Sequence, residues 1–165
     1  QWAYRSQIGF MPQMTRYPEN MTVQEVMTMM MNIRNVPQDF DTDLIERYRL
    51  HEMYLKRMGT LSGGMRQKVG ASIAFLFKPD VLILDEPTAG LDPLSSEILR
   101  QKISHEIQNG KAFIISSHIL SELDEMVTDV VYMQDGQVLF QKSVEELMAE
   151  TQENKLSKMI SKIIA

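Results

Sequence analysis

Two neighbouring carboxylates follow an apolar run in the sequence VLILDEP, at residues 81 to 87. The run is typical of a buried strand in a parallel α/β sheet, and ligands bind beyond the carboxyl ends of such strands. Because successive side chains of a strand point in opposite directions, Asp85 and Glu86 can divide two tasks, one holding a cation and the other facing a water molecule. A turn or a helix cap formed by the acidic pair is the alternative interpretation.

A serine and two glycines precede a predicted helix in the sequence TLSGGMRQKVGA, at residues 60 to 71. Glycine is a poor helix former, but a helix start has backbone N–H groups without partners and carries a partial positive charge. Glycines let an anion come close to these groups, and the hydroxyl of Ser62 adds a donor. The segment therefore predicts a site for an anion such as a terminal phosphate. A glycine-rich turn with Ser62 as its cap is the alternative.

The order and spacing of several short motifs decide between these alternatives. The chain carries, in order, GFMPQ at 9 to 13, LSGG at 61 to 64, LILDEPT at 82 to 88, GLD at 90 to 92 and SSH at 116 to 118. This ordered set, from about Ser6 to about Phe140, closely resembles the nucleotide-binding subunit of ATP-binding cassette (ABC) proteins. The resemblance implies an α/β fold of the P-loop NTPase type, with a parallel-sheet core and an inserted α-helical subdomain.

The resemblance also implies which residues act on the chain's own ATP and Mg²⁺. Asp85 corresponds to the Walker B aspartate that helps to hold magnesium, and Glu86 to the glutamate that polarises the hydrolytic water. Gln13 corresponds to the glutamine that touches magnesium and the attacking water and senses the transport domain. His118 corresponds to the switch histidine that contacts the terminal phosphate. A core imidazole bonded to the backbone is the alternative for this histidine.

Other residues would serve a second subunit. Ser62, Gly63 and Gly64 correspond to the signature motif, which in the family contacts the nucleotide held by the neighbouring subunit. Asp92 corresponds to the D-loop, which crosses the dimer interface. Met65 departs from the glutamine that often follows the two glycines, a substitution seen among drug-exporter-like members.

The motif G-x-x-x-x-G-K-[ST], whose amides and lysine cradle phosphates, does not occur in the chain. In the family it lies upstream of the glutamine loop, and the chain starts just before that loop without an initiator methionine. We therefore expect a fragment that lacks the N-terminal strands and the phosphate loop and is inactive by itself. The resemblance implies that the missing strand would lie between the strand ending at His118 and the strand containing Val130 to Met133. Unpaired backbone at that position predicts that the isolated fragment is poorly stable, or else that another chain or a rearrangement of the sheet completes it.

Four parts of the chain are predicted to position these motifs. Residues 1–15 form a core strand and the glutamine loop, 16–78 a helical subdomain with the signature motif, 79–141 the core with the remaining motifs, and 142–165 the C-terminal helices. In the helical part, Thr22 and Glu25 have capping-box spacing at the start of a methionine-rich helix over 21 to 33. A second, charged helix is predicted over 42 to 58.

The C-terminal half contains a turn and a helix start that are visible in the sequence. The pair Asp135-Gly136 predicts a tight hairpin between two strands. Ser143 and Glu146 are predicted to cap an amphipathic helix. The tail KLSKMISKIIA is interpreted as a helix that packs against its own domain.

Composition excludes several classes of function. The chain has 165 residues and a formal charge of −5, which argues against a general electrostatic grip on nucleic acid. It has no cysteine, so disulfides and thiolate metal sites are excluded, which fits a reducing compartment. Its longest apolar runs are far shorter than the ~20 residues that cross a bilayer, and its start does not match a signal peptide. We expect a cytoplasmic location, peripheral on the cytoplasmic face of a membrane.

The sequence thus predicts an ATPase subunit of a membrane transporter that exports a drug, an antibiotic or another hydrophobic or peptide substrate. The implied cofactors are ATP and Mg²⁺. The implied partners are a second nucleotide-binding subunit and a separate transmembrane permease on which the helical part docks; no nucleic-acid partner is expected. Two alternatives stay open: a cassette ATPase that acts on ribosomes or DNA, and a non-catalytic interaction module. The first usually has tandem cassettes, long coiled coils or basic extensions, and none is visible in this acidic chain.

Overall fold

The computed structural model describes residues 3–34, 39–124 and 126–164. The strands of this described part are β1 Ile8–Met11, β2 Val81–Asp85, β3 Ala112–Ser116, β4 Asp129–Gln134 and β5 Gln137–Ser143. Its α-helices are α1 Val23–Arg34, α2 Asp43–Arg47, α3 Gly63–Leu76, α4 Pro93–Gln108, α5 Val144–Thr151 and α6 Leu156–Ile164. The chain forms two compact units, Gln1–Ser116 and Ser117–Ala165, each with its own sheet.

The first unit contains a three-stranded parallel sheet in the order β1-β2-β3. Met11 of β1 is in register with Leu84 of β2, and Asp85 at the end of β2 is in register with Ser116 at the end of β3. The carboxyl ends of all three strands therefore meet at one edge of the sheet. This arrangement confirms the predicted α/β class with a parallel-sheet core.

Helix α3 is the centre of the first unit. It contacts β1, α1 and α2, and its residues from Val69 to Leu76 are all buried. In β2, buried Leu82 and Leu84 alternate with half-buried neighbours, as expected of a strand covered on one face. The buried C-terminal half anchors α3 in the core, while Ser62 and Gly63 at its start are exposed.

The start of the helical part follows the sequence prediction. The backbone N–H of Thr22 donates to the Glu25 carboxylate over 2.7 Å, and the N–H of Glu25 donates to the Thr22 hydroxyl over 3.2 Å. This is the predicted capping box at the start of α1. Met27 is buried, and Met29, Met30 and Met31 are half-buried, so the methionine run is divided between the core and the surface.

The prediction of a single helix over residues 42 to 58 is wrong. Helix α2 ends at Arg47, Arg49 has a left-handed backbone with φ of 53°, and a short 3-10 turn follows at Leu50–Met53. Tyr48 and Leu50 are both buried, although residues two apart in a helix point about 200° away from each other. The break at Arg49 lets both side chains enter the core, where the Tyr48 hydroxyl donates to the carbonyl of Ser95 over 3.0 Å.

In the described residues, β3 pairs with β2 alone, so its other side is an edge of the sheet. Ile114 in the middle of β3 is 63 % exposed. An uncovered apolar edge strand of this kind can pair with another chain. This geometry agrees with the expectation of unpaired backbone next to the strand that leads to His118.

The second unit pairs β4 with β5 in an antiparallel hairpin. Asp135 and Gly136 both have positive φ, of 52° and 76°, as the predicted tight turn requires. Ser143 caps α5 with both bonds of a capping box to Glu146. In α6, Leu156, Met159 and Ile160 are buried, and Leu156 and Met159 belong to the same apolar cluster as Leu147 of α5, so the tail packs within its own unit.

None of the helices in the described ranges is both long and apolar enough to cross a membrane. The four-part division at residues 15, 78 and 141 stays a prediction.

Candidate functional site

Ser116 joins the ends of two strands at the carboxyl edge of the first sheet. Its hydroxyl donates to a carboxylate oxygen of Asp85 over 2.5 Å. The backbone N–H of Glu86 donates to both the carbonyl and the hydroxyl oxygens of Ser116, each over 3.1 Å. The two predicted acidic residues are thus fixed by one serine on the neighbouring strand.

Glu86 itself has a left-handed backbone with φ of 47°. This conformation is unfavourable for a residue with a side chain, and it is found at sites where surrounding structure enforces it. The Glu86 carbonyl accepts hydrogen bonds from the Gln67 side-chain amide at 3.3 Å and from the Ala89 N–H at 3.1 Å. The peptide groups on both sides of Glu86 are therefore held in place.

Ser62 caps α3, which is the alternative role that the sequence left open for this residue. Its hydroxyl oxygen accepts the backbone N–H of Met65 over 3.2 Å, while Ser62 and Gly63 are exposed. A Cβ at Gly63 would meet nothing within 4 Å, whereas a Cβ at Gly64 would lie 2.5 Å from the carbonyl oxygen of Gly90. Gly64 is thus required by packing inside the chain, and Gly63 is not.

Asp92 caps the following helix, α4. Its carboxylate accepts the backbone N–H of Ser95 over 2.9 Å and the Ser95 hydroxyl over 2.7 Å. The ammonium of Lys68 lies 3.0 Å from the same carboxylate. The hydrogen bonds from Ser95 and then that from Lys68 lower the pKa of Asp92 well below its usual range, so the carboxylate stays ionised.

Gln13 lies two residues beyond β1, at the same sheet edge as Asp85, and is exposed. A cavity of about 750 Å³ begins beside it and is lined by Gln13 and Tyr17 on one segment and by Gly63, Arg66 and Gly90 on two others. Burial raises the pKa of Tyr17 to about 12, so its phenol is neutral at physiological pH. The cavity thus brings together the segments that contain Gln13, Gly63 and Gly90.

His118 is exposed and belongs to the second compact unit. The predicted contact of His118 with the nucleotide served by Asp85 and Glu86 stays a prediction.

The chemistry of the sheet edge fits magnesium bound together with a nucleotide. The described residues contain no group of three or more histidines, aspartates and glutamates that could hold a metal ion alone. Mg²⁺ is usually bound by one or two carboxylates, with phosphate oxygens and water completing its octahedron. Asp85 at a strand end, with Gln13 at the same edge, suits that mode of binding. Their roles as magnesium ligands stay predictions.

Sequence reasoning missed three residues of this site: Ser116, Gln67 and Lys68. Each acts through a contact with a residue 19 to 31 positions away in the chain. A usable signal exists for Gln67 and Lys68, since they lie three and four residues after Gly64 and so share its face of the helix. For Ser116, the signal is its position at the end of a strand that neighbours β2.

Comparisons with known proteins agree with this geometry. The profile of the family described as "ABC transporter" matches residues 1–89. The chain is 33 % identical over 155 residues to the uncharacterized ABC transporter ATP-binding protein YxlF of Bacillus subtilis, covering 91 % of this chain and 52 % of that protein. It is 32 % identical over 137 residues to the human phospholipid-transporting ATPase ABCA3, covering 81 % of this chain and 8 % of that protein.

A solved structure also resembles the chain. It is described as the structure of the ATP-binding subunit of an ABC transporter, and it matches with a TM-score of 0.85 at 23 % sequence identity, over 99 % of this chain and 70 % of that one. At this identity the match concerns the fold. The chain spans about half the length of YxlF.

Proposed function

The chain belongs to the ABC transporter family, and from this premise we propose that it carries part of the ATP-hydrolysing machinery of a subunit that powers export across a membrane. The observation that carries the proposal is the pair Asp85 and Glu86, held at the carboxyl edge of a parallel sheet by Ser116. The cavity that joins Gln13 to the signature motif lies within the same compact unit.

Phosphoryl transfer to water depends mainly on positioning and on stabilisation of charge. Asp85 and Gln13 would hold Mg²⁺, which neutralises charge on the phosphates when bound. Glu86 would orient the attacking water and accept its proton. His118 would contact the terminal phosphate. In this scheme the fixed backbone of Glu86 directs its carboxylate beyond the end of β2.

A second nucleotide-binding subunit would complete the site. The start of α3 is exposed at Ser62 and Gly63, so its backbone N–H groups can approach a phosphate bound to the neighbouring subunit. Gly63 supports this role because nothing inside the chain requires a glycine there. The loop that contains Asp92 would cross the interface to the neighbouring subunit next to this contact.

The proposed substrate is hydrophobic. Relatives of the chain include proteins named as a phospholipid-transporting ATPase and a glucosylceramide transporter, and these names support a lipid-like or drug-like substrate. A separate transmembrane permease would carry the substrate, with the helical part of this chain docked on its cytoplasmic face. Half-buried methionines of α1 offer an adaptable apolar contact for such a partner.

We propose that the 165-residue chain by itself does not hydrolyse ATP, since its sequence contains no G-x-x-x-x-G-K-[ST] motif. Isothermal titration of the chain with Mg-ATP should give no binding heat. Tight binding by the chain alone would contradict this part of the proposal.

The decisive experiment uses the protein expressed from its full coding sequence, in membranes with its permease. Glu86→Gln should reduce kcat for ATP hydrolysis about 100-fold or more, since it removes the proton acceptor, while ATP-dependent dimerisation persists. Glu97→Gln is the matched control, because Glu97 is an exposed partner of Arg100 at 3.6 Å on α4. Equal turnover in both variants would refute the role of Glu86. ATP-driven movement of a fluorescent lipid in vesicles would separate a transporter from a cassette ATPase with another task.

A further inference from the structure

One face of the first turns of α3 is joined to the segment from Glu86 to Asp92 at three points. Gly64 packs against the Gly90 carbonyl so closely that a Cβ would lie 2.5 Å from its oxygen. Three residues later, the Gln67 side-chain amide donates to the Glu86 carbonyl over 3.3 Å. Lys68 then pairs with Asp92 over 3.0 Å. Positions i, i+3 and i+4 share one face of a helix, so these contacts form a single seam.

Gln67 occupies the middle of this seam and is 4 % exposed. A buried side-chain amide is costly unless its polar atoms find partners, so packing alone would favour an apolar residue at this position. The Gln67 amide reaches the carbonyl of a residue whose backbone is left-handed, with φ of 47°. Such a conformation persists where neighbouring groups enforce it. Ser116 fixes the N–H side of Glu86, and Gln67 with Ala89 fixes its carbonyl side.

We infer that Gln67 is a positioning residue for Glu86. Through Gln67, the start of α3, which would contact the nucleotide of the neighbouring subunit, is coupled to the Glu86 carboxylate, which would act on the chain's own nucleotide. The inference rests on the proposed function. A shift of α3 when the neighbouring nucleotide is engaged would move the Glu86 carbonyl with it. Gly64 and Lys68 hold the two flanking parts of the seam in register. Gln67, between them, is the residue that acts directly on the peptide group of Glu86.

Two substitutions in the full-length protein test this role. Gln67→Leu removes the donor and keeps most of the volume. We expect kcat to fall about 10- to 100-fold, as misplacement of a reacting group does. The KM for ATP should stay within about 2-fold, since this pattern marks an interaction needed for turnover and not for binding.

Gln67→Glu gives a readout that a purely structural role would not produce. An ionised carboxylate cannot donate to the Glu86 carbonyl, but a protonated one can. Burial raises the pKa of a carboxyl group, so lowering the pH should restore the donor. We therefore expect the ratio of the Gln67→Glu kcat to the wild-type kcat to rise as the pH falls from 8 to 6 by about 3-fold or more. The same ratio for Gln67→Leu should not change with pH.

Ser72→Ala is the matched control, because Ser72 is also buried on α3 but donates to the Lys68 carbonyl within the helix. Hydrogen exchange adds a measurement that does not depend on ATP. The amides of Glu86 and Ala89 should exchange faster in Gln67→Leu than in wild type or Ser72→Ala.

The outcomes separate this inference from the proposed function. If the wild-type protein hydrolyses no ATP, the proposed function fails. The hydrogen-exchange rates of the Glu86 and Ala89 amides still test whether Gln67 positions Glu86. If wild type is active, unchanged kcat in both Gln67 variants overturns the inference. Exchange rates at Glu86 and Ala89 equal to those of the Ser72→Ala control overturn it as well.

Discussion

The ammonium of Lys102 lies 2.6 Å from a carboxylate oxygen of Asp41, and this bond joins α4 to the segment that leads into α2. The same ammonium lies 2.8 Å from Glu106, which also pairs with Lys111 at 2.6 Å. The side chains of Lys102 and Glu106 are only 5 % and 7 % exposed. A chain of alternating charges thus joins α4 to the segments at Asp41 and Lys111, with its two central side chains buried.

Removing the central cation should destabilise the first unit. Lys102→Met keeps most of the length of the side chain but leaves the buried Glu106 and the partly buried Asp41 with less compensation, at a cost of about 3–5 kcal/mol in the free energy of unfolding. Urea denaturation followed by circular dichroism measures it. Glu97→Gln, which alters an exposed pair on the same helix, should change stability by less than about 1 kcal/mol. Equal stability of the two variants would show that the buried network contributes little.

The same network predicts a pH dependence of stability. Burial by itself would raise the pKa of Glu106, but hydrogen bonds from Lys102 and Lys111 outweigh burial and lower it below its ordinary value of 4.5. The folded state therefore binds this proton less readily than the unfolded state. The stabilisation by Glu106 is complete above pH 4.5 and is lost as the pH falls through the lowered pKa.

Glu106→Gln removes this titration and is the direct test of its sign. The urea midpoint of the wild type should fall more steeply between pH 5 and pH 3 than that of Glu106→Gln. Parallel curves for the two proteins would mean that the Glu106 pKa is not lowered by folding. Glu97→Gln again serves as the control and should follow the wild-type curve.

The two signature glycines should respond differently to alanine. Gly64→Ala places a Cβ 2.5 Å from the Gly90 carbonyl oxygen, so we expect a loss of about 1–3 kcal/mol in the free energy of unfolding. At Gly63 a Cβ meets nothing within 4 Å, and alanine should retain or slightly raise stability.

An assay of ATP turnover separates the functional role of Gly63 from its effect on stability. In the full-length protein, Gly63→Ala should lower ATP turnover in spite of unchanged stability, because its methyl group would meet the neighbouring nucleotide. Thermal denaturation and ATPase assays on the same preparation measure both quantities. Wild-type turnover in a stable Gly63→Ala protein would argue against a close phosphate at this amide.

The edge at β3 should make the 165-residue chain self-associate. Ile114 is 63 % exposed on an edge strand, and a lysine there disfavours pairing with another chain. Sedimentation velocity of Ile114→Lys should therefore show more monomer than the wild-type chain. Leu55→Lys is the control, since Leu55 is 83 % exposed but lies outside the strands. A monomeric wild-type chain with a cooperative thermal transition would contradict both this prediction and the expected instability.

Local features of this protein were predictable because their partners are close in the sequence. Ser62 caps α3 through a residue three positions away, and the same spacing relates Thr22 to Glu25 and Ser143 to Glu146. The Asp135-Gly136 turn needs only residues that tolerate positive φ. The order of the motifs was sufficient to identify the family, since each motif is a short contiguous segment.

The failed prediction over residues 42 to 58 shows where local reasoning ends. The segment has good helix formers, yet it breaks at Arg49 because Tyr48 and Leu50 are both buried. That burial depends on α4, whose Ser95 carbonyl accepts the Tyr48 hydroxyl 47 positions away. Tertiary packing overrode helix propensity here.

What the sequence determined by itself was the identity of the chemical groups: the acidic pair after an apolar strand, the serine and glycines at a helix start, and the capping residues. Only the tertiary structure decided which groups touch. It paired Ser116 with Asp85, Gln67 with Glu86 and Lys102 with Asp41, across 31, 19 and 61 positions. The physical reason is that helix caps and turns form within a few residues of backbone, whereas contacts between distant segments exist only after the sheet and helices have packed and brought their side chains within hydrogen-bonding distance.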